Sequence, residues 1–177
     1  MKIRTGFVSN SSSTSFTFIF KGSKIKELFY LITKYDQYFD LYFTPYEEKK
    51  LHCTAEDVVK SMKRVKSNSD LVSIKSFHQN IESEIKLLEK RIEKVKCDRV
   101  SKEFEAKWDE EYLFEILNKK SSIEEAIEEG FEKVLIIDFG DNHGDISGGK
   151  VGYCMDYEGR SIDINKPDLI VTTEQNR

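Results

Sequence analysis

The sequence predicts an α+β fold, in which strands from the N- and C-terminal parts form one small mixed or antiparallel sheet and a helical hairpin lies between them. Three observations support this prediction. Aromatic and smaller residues alternate from Ser15 to Phe20, which is typical of a strand. A continuous apolar run at residues 134–137 suits a buried strand. Residues 70–120 contain neither Gly nor Pro, and apolar residues recur there at helical spacing.

The first strand is expected to be a core element on which the rest of the chain packs. Aromatic rings bury large areas, and the strand carries three of them on one face: Phe16, Phe18 and Phe20. Gly22 and Ser23 follow the strand. Ser23 can cap the amphipathic helix that is predicted over residues 24–36.

A second strand is predicted over residues 39–43, where side chains alternate up to Pro45. Residues 46–53 are polar and predict a loop. Thr54 and Asp57 have the spacing of a capping box, so we expect a helix to begin there and to run to about residue 66.

A seven-residue apolar repeat marks the middle of the chain. It consists of Ile74, Ile81, Leu88 and Val95, with His78, Ile85 and Ile92 between them. This pattern predicts a helix with coiled-coil spacing over about three heptads, in which His78 is a polar position that sets the register. Cys97 to Arg99 interrupts it. We expect a second helix folded back on the first as a hairpin; a single rod continuing to Lys120 is the alternative.

The C-terminal part returns to β structure. Ser122 begins a second capping-box pattern, which predicts a short helix ending near Gly130. Residues 138–149 are rich in Gly and Asp and predict a loop. Further strands are predicted at residues 151–157, 161–164 and 169–173. We therefore expect a strand-helix-strand part at 1–53, a helical segment at 54–120, and a helix with strands at 121–177 that complete the sheet.

Composition and charge exclude several classes of protein. The net charge of −4 argues against a nucleic-acid binder driven by bulk charge. The chain has no apolar run near the length of a membrane span and no signal-peptide pattern at its start. Three widely spaced cysteines form neither a metal knuckle nor a redox pair. These features predict a cytoplasmic protein that binds no membrane and no cofactor.

A cluster of carboxylates with a histidine follows the apolar run at 134–137, at Asp138, Asp141, His143 and Asp145. Such groups at a strand end bind metal ions in many hydrolases. Residues 141–144 resemble the D-x-H-G opening motif of calcineurin-like metallophosphoesterases, which implies a metal-dependent phosphoesterase or nuclease. No histidine follows Asp145, so the later motifs of that family are missing. The alternative is a hairpin loop in which Asp, Asn and Gly supply turn geometry.

Two helical segments carry further candidate binding residues. The helix after Thr54 concentrates cations that can contact phosphates, or that form a solvated face: Lys60, Lys63, Arg64 and Lys66. The helix after the interruption carries aromatic and apolar residues four apart, which can anchor a partner or fill the hairpin: Trp108, Tyr112 and Ile116.

The N-terminal segment has a distinctive motif, Gly6-Phe7-Val8-Ser9-Asn10 followed by a serine run, with Thr14 as its one departure, and then Phe16. It resembles a motif that begins many uncharacterised small proteins of bacteriophages and bacteria. The resemblance covers about the first 20 residues. It implies a phage-type accessory protein that acts on a host or virion component, and it implies no catalytic residues.

No complete catalytic set is recognisable in the sequence. We therefore expect a non-enzymatic interaction protein, which uses its helical segment to bind a protein partner or a second copy of itself. A metal-dependent phosphoesterase or nuclease at residues 138–145, and nucleic-acid binding through residues 58–66, are the alternative hypotheses.

Overall fold

The structure, a computed structural model, describes residues 13–43, 51–97, 103–140 and 162–176. The fold is α+β, as the sequence predicted. The chain divides into two compact units: Met1–Leu71 with Leu135–Arg177, and Val72–Val134. The described strands and helices, in chain order, are β1 (Ser13–Phe20), α1 (Ile25–Lys34), β2 (Leu41–Phe43), β3 (Leu51–Cys53), α2 (Ala55–Val65), β4 (Val72–Ser73), α3 (Ile74–Cys97), α4 (Glu103–Glu128), β5 (Lys133–Gly140), β6 (Ile164–Lys166) and β7 (Leu169–Asn176).

Strand β1 lies in the middle of the sheet of the first unit, where the strand order is β5-β1-β7-β6. β1 and β7 are antiparallel, with Phe18 opposite Val171, and β6 and β7 form an antiparallel pair with a short turn between them. The three predicted phenylalanines are fully buried, and Thr17 and Ile19 on the other face are buried as well. The expectation of a core strand is confirmed. The strand is covered on both faces.

Helices α1 and α2 pack together in the same unit, and their N-termini are capped differently. Thr54 caps α2 as predicted: its hydroxyl accepts from the Asp57 amide at 3.3 Å, and the Asp57 carboxylate accepts from the Thr54 amide at 3.1 Å. Helix α1 begins one residue later than expected, after Lys24, and the capping role of Ser23 is not observed. Glu27 instead accepts from the amides of Ser23 and Lys24, at 2.6 and 3.0 Å.

A two-stranded sheet replaces part of one predicted loop. Leu51–Cys53 pairs antiparallel with Leu41–Phe43, so the loop prediction for residues 46–53 is wrong at its C-terminal end. The buried Cys53 explains this difference, because a short strand with one buried side chain gives too little periodicity to be recognised in a polar segment.

The second unit is built on α3 and α4, which pack on each other as an antiparallel hairpin. The hairpin prediction is confirmed over the alternative of a single rod. Helix α4 is longer than predicted, because it runs through the expected capping box at Ser122. The hydroxyls of Ser121 and Ser122 donate to the carbonyls of Leu117 and Asn118, one turn earlier, and so stay within the helix.

Gly130 ends α4 as the sequence predicted. Its φ of 84° lies in the left-handed region, which glycine adopts without steric cost. The Phe131 amide donates to the Ala126 carbonyl and the Gly130 amide to that of Ile127, which is a Schellman motif. The chain then enters β5, whose first residues pair antiparallel with β4.

The remaining predictions have mixed outcomes. The last strand is confirmed as β7, whereas the strand predicted at 161–164 lies later, at Ile164–Lys166. The strand predicted at 151–157 and most of the N-terminal motif lie outside the described residues. The compact units also divide the chain differently from the three predicted parts, since α2 belongs to the first unit.

Candidate interaction surface

The hairpin of the second unit has one apolar seam. On α3 the buried residues follow helical spacing: Ile74, Phe77, Ile81, Ile85, Leu88 and Ile92. On α4, among the side chains that the structure describes from residue 107 onward, the buried apolar residues are Ile116, Ile123 and Ala126. The heptad positions of the sequence therefore identify most of this seam. His78 is the exception among the heptad positions. The neighbouring Phe77 is buried in the seam instead, and the imidazole of His78 lies at the edge of the seam.

Polar contacts between α3 and α4 fix the register of the hairpin. Nε2 of His78 lies 3.0 Å from Oε1 of Glu124, near one end. The hydrogen bond from His78, and then Lys120, holds the pKa of Glu124 below its ordinary value, although burial acts in the opposite direction. The hydroxyl of Tyr112 donates to Glu84 at 2.8 Å, about halfway along α3.

Arg91 and Asp109 form a further ionic contact between α3 and α4. Nε of Arg91 donates to Oδ2 of Asp109 at 2.5 Å, and Nη2 donates to Oδ1. Asp109 is 8% exposed, so its carboxylate depends on this fork for the hydrogen bonds that water would otherwise provide. The contact fixes the part of the hairpin nearest the connection between the two helices.

The three predicted partner-binding residues have different surroundings. Trp108 is 54% exposed and Tyr112 is 41% exposed, so neither ring fills the hairpin as the alternative interpretation required. Ile116 is 5% exposed and lies in the seam. It cannot contact a partner directly, and its inclusion in the predicted set is corrected by its burial.

Further large apolar residues that the sequence analysis missed are exposed on the hairpin. They are Leu87 on α3, and Phe114 and Leu117 on α4. Phe114 is surrounded by charged neighbours on its own helix: Lys107, Glu110, Glu111 and Glu115. The sequence analysis did not predict that α4 carries apolar residues on two opposite sides. The sequence nevertheless contains this information, because Phe114 and Leu117 do not follow the helical spacing of the seam residues.

Three of these exposed residues share one side of the hairpin, which we call the Trp108 face: Leu87, Trp108 and Tyr112. Leu87 follows Glu84 by three residues and precedes Arg91 by four, so all three lie on one side of α3. Glu84 contacts Tyr112 and Arg91 contacts Asp109, so that side of α3 adjoins the side of α4 that carries Trp108 and Tyr112.

The predicted basic surface is partly formed on α2. Lys60, Lys63 and Arg64 are exposed on one side of the helix. Nζ of Lys60 lies 2.9 Å from Glu56, and Nζ of Lys63 lies 5.7 Å from the centre of the Phe29 ring. Lys66 is less exposed and caps the C-terminus of α2, where its amide donates to the Met62 carbonyl.

The predicted metal site lies almost wholly beyond the described residues. Asp138 belongs to β5, while Asp141, His143 and Asp145 fall in the undescribed range 141–161. Within the ranges that the structure describes, no group of histidine, cysteine and carboxylate side chains is arranged to hold a metal ion.

A polar cluster in the first unit was not predicted. Asp168, in the turn between β6 and β7, accepts from Nζ of Lys34 and the hydroxyl of Tyr35, each at 2.5 Å. Nearby, Nζ of Lys166 donates to the hydroxyl of Tyr38 at 2.6 Å and lies 4.2 Å from the centre of its ring. These partners are more than 120 residues apart in sequence, and no local pattern marks them.

The charges of this cluster are tuned by their hydrogen bonds. Partial burial raises the pKa of Asp168, but the hydrogen bonds from Lys34 and Tyr35 outweigh it and hold that pKa below its ordinary value. The hydrogen bond from Lys166 lowers the pKa of Tyr38. The cluster fastens the end of α1 and the turn after it to the β6–β7 hairpin.

No protein-family model, no curated protein and no solved structure matches the chain. Among the described helices, none is long and apolar enough to cross a membrane.

Proposed function

We propose that the protein is a non-enzymatic interaction module whose α3–α4 hairpin binds a protein partner. One observation carries the proposal: the largest exposed apolar side chains of the described residues, tyrosines apart, are Leu87, Trp108, Phe114 and Leu117, all on this hairpin. Exposed aromatic and aliphatic residues with a charged surround are characteristic of interfaces. Trp is also the residue most enriched among those that dominate binding energy.

The N-terminal motif supports a more specific version of the proposal. Because it resembles the opening of small bacteriophage and bacterial proteins, we propose a phage-type accessory protein that acts on a host or virion protein. The hairpin would supply the contact surface, and the sheet of the first unit would supply a stable base.

Nucleic-acid binding through α2 is a second candidate. The exposed cations Lys60, Lys63 and Arg64 on one side of the helix favour it, because phosphate contacts come mainly from such side chains. The ion pair of Lys60 with Glu56 and the acidic net charge weigh against it. The metal-dependent phosphoesterase stays a hypothesis from the sequence.

Two matched triple variants test the first proposal against the second. One replaces exposed residues of α4: Trp108→Gln, Phe114→Gln and Leu117→Gln. The other replaces exposed residues of α2: Lys60→Gln, Lys63→Gln and Arg64→Gln. Each tagged variant and the wild type are expressed in the native cell, and the proteins and nucleic acids that co-purify are identified.

We expect the α4 variant to lose the protein partners that the α2 variant retains. Circular dichroism should show the same helix content for all three proteins, because every replaced side chain is exposed and glutamine is a good helix former. Protein partners retained by the α4 variant would refute the proposal. Nucleic acid that the α2 variant loses, and that salt releases steeply, would favour the second candidate.

A further inference from the structure

We propose that the Trp108 face binds a second copy of the chain, so that two hairpins form a symmetric dimer in which α3 of each copy packs on α4 of the other. The inference rests on the proposed function, because both require the hairpin to be the binding element. It goes further by naming the partner, which is a second copy of the chain. Three features of the hairpin support this dimer: the position of its exposed apolar residues, the charges beside them and the register of its two helices.

The apolar residues of the Trp108 face belong to both helices. Leu87 is 68% exposed on α3, and Trp108 and Tyr112 lie one turn apart on α4. The contacts of Glu84 with Tyr112 and of Arg91 with Asp109 place Leu87 within about one turn of Tyr112 along the hairpin. Apolar residues of both helices are therefore exposed on the same side of the hairpin, within about one turn of each other along its length.

The charges that flank this patch have opposite signs on its two sides. Lys90 and Lys94 follow Leu87 by three and seven residues, so they lie on the same side of α3, and both are exposed. Glu111 and Glu115 follow Trp108 by three and seven residues on α4, and they are exposed as well. One margin of the face is thus basic, and the other is acidic.

This arrangement is self-complementary. A two-fold axis parallel to the helices brings α3 of one copy over α4 of the other, and the helices in contact then run antiparallel. Leu87 meets the Tyr112 turn of the second copy, and Lys90 meets Glu111. Packing α3 on α3 would instead bring lysines together, which opposes association. A two-fold contact repeats each interaction twice, and it closes without leading to open filaments.

The single tryptophan of the chain reports directly on this contact. Trp108 is 54% exposed in one copy, and burial against a second copy should shift its fluorescence emission to shorter wavelength. We expect the mass measured by light scattering and the emission maximum to change together, over about a hundredfold range of concentration of the full-length chain, because dimer formation follows mass action.

A matched pair of variants locates the interface. Leu87→Glu places a carboxylate in the apolar patch and should weaken the dimer at least about tenfold, since each of the two symmetric contacts loses a central residue. Gln79→Glu makes the same change of charge at an exposed position two turns earlier on α3, away from the patch. It should leave the dimer unchanged.

A charge exchange tests which helices meet. Lys90→Glu and Glu111→Lys should each weaken the dimer by about two- to tenfold, and the double variant should recover the affinity of the wild type. A dimer that Leu87→Glu leaves intact would refute the Trp108 face as its interface. A double variant without recovery would refute the packing of α3 on α4.

Failure of this inference differs from failure of the proposed function. A wild-type chain that stays monomeric, with constant emission, refutes the dimer alone if the α4 triple variant still loses its captured partners. A monomeric chain whose captured partners are unaffected by that variant refutes both.

Discussion

Phe18 in β1 and Phe114 in α4 have the same side chain in opposite surroundings. Phe18 is fully buried, and its ring stacks on those of Phe16 and Phe39, with centroids 6.1 and 6.5 Å away. Phe114 is 66% exposed. Both faces of the central strand of the first unit are buried, whereas the second unit has one buried seam and exposes other apolar side chains.

This difference separates residues that hold the fold from residues that are available for binding. In the first unit, α1, α2 and the sheet share one core, and that core contains all three phenylalanines of β1. In the second unit, α3 and α4 pack mainly on each other, with a smaller contact between α3 and β4. Several large apolar side chains of the hairpin lie outside the seam and are exposed, and we therefore propose them as binding residues.

The largest expected effect is on the free energy of unfolding of two Phe-to-Ala variants. Phe18→Ala should lower it by about 3–5 kcal/mol, because the change leaves a cavity among packed rings. Phe114→Ala should change it by less than about 0.5 kcal/mol, because the ring is exposed. Urea unfolding followed by circular dichroism measures both. Equal losses for the two variants would contradict the difference between the two units.

Adjacent leucines of α3 make the same comparison within the second unit. Leu88 is 6% exposed in the seam and Leu87 is 68% exposed. Leu88→Ala should cost about 2–5 kcal/mol of unfolding free energy, and Leu87→Ala less than about 0.5 kcal/mol. The measurement is made at low protein concentration, where self-association does not contribute. A large loss for Leu87→Ala under those conditions would show that it packs within a single hairpin.

The sequence predicts the parts of this molecule that depend on local patterns. Phe16, Phe18 and Phe20 alternate, Thr54 and Asp57 have capping-box spacing, and Gly130 follows a helical pattern, and each prediction is confirmed. Ser122 shows the limit of such reasoning, because its capping spacing is real but the helix before it continues. Packing of α4 on α3 on both sides of Ser122 supports that continuation, and an isolated capping motif does not outweigh it.

The candidate surface could be predicted only in part. Helical spacing identifies Trp108 and Tyr112. It also assigns Ile116 to the same stripe, although the Ile116 side chain is buried in the seam. Leu87 adjoins a seam residue in sequence, and only the contacts of Arg91 and Glu84 show which side of the hairpin it occupies. The cluster at Asp168 joins residues far apart in the chain, and such contacts leave no local signal.

A smaller effect is expected at the glycine that ends α4. Gly130 has a φ of 84°, and a Cβ there would meet no atom within 4 Å. Gly130→Ala should therefore lower the unfolding free energy by about 1–2 kcal/mol through backbone strain alone. Gly130→Asn should cost less, because asparagine adopts this conformation more readily. Thermal unfolding measures both, and an alanine variant as stable as the wild type would contradict the left-handed assignment.

The smallest expected effect is a pH dependence in the first unit. The Asp168 carboxylate is held ionised by Lys34 and Tyr35, and its pKa lies below the ordinary value of 3.8. A carboxyl whose pKa is lower in the folded state stabilises the fold above its unfolded pKa, and that stabilisation is lost as the pH falls through the folded pKa. Asp168→Asn should therefore destabilise the protein at neutral pH by at most about 1 kcal/mol, since the contact is partly exposed.

The difference between wild type and Asp168→Asn should disappear on acidification, as the pH falls through the folded pKa of Asp168, which lies below 3.8. Urea unfolding at a series of pH values measures it. Asp163→Asn, at an exposed carboxyl in the same unit, serves as the matched control and should show no such convergence. A difference that persists at low pH would mean that Asp168 acts through its shape and neutral hydrogen bonds. The tether between α1 and the β6–β7 turn would then not depend on the charge of Lys34.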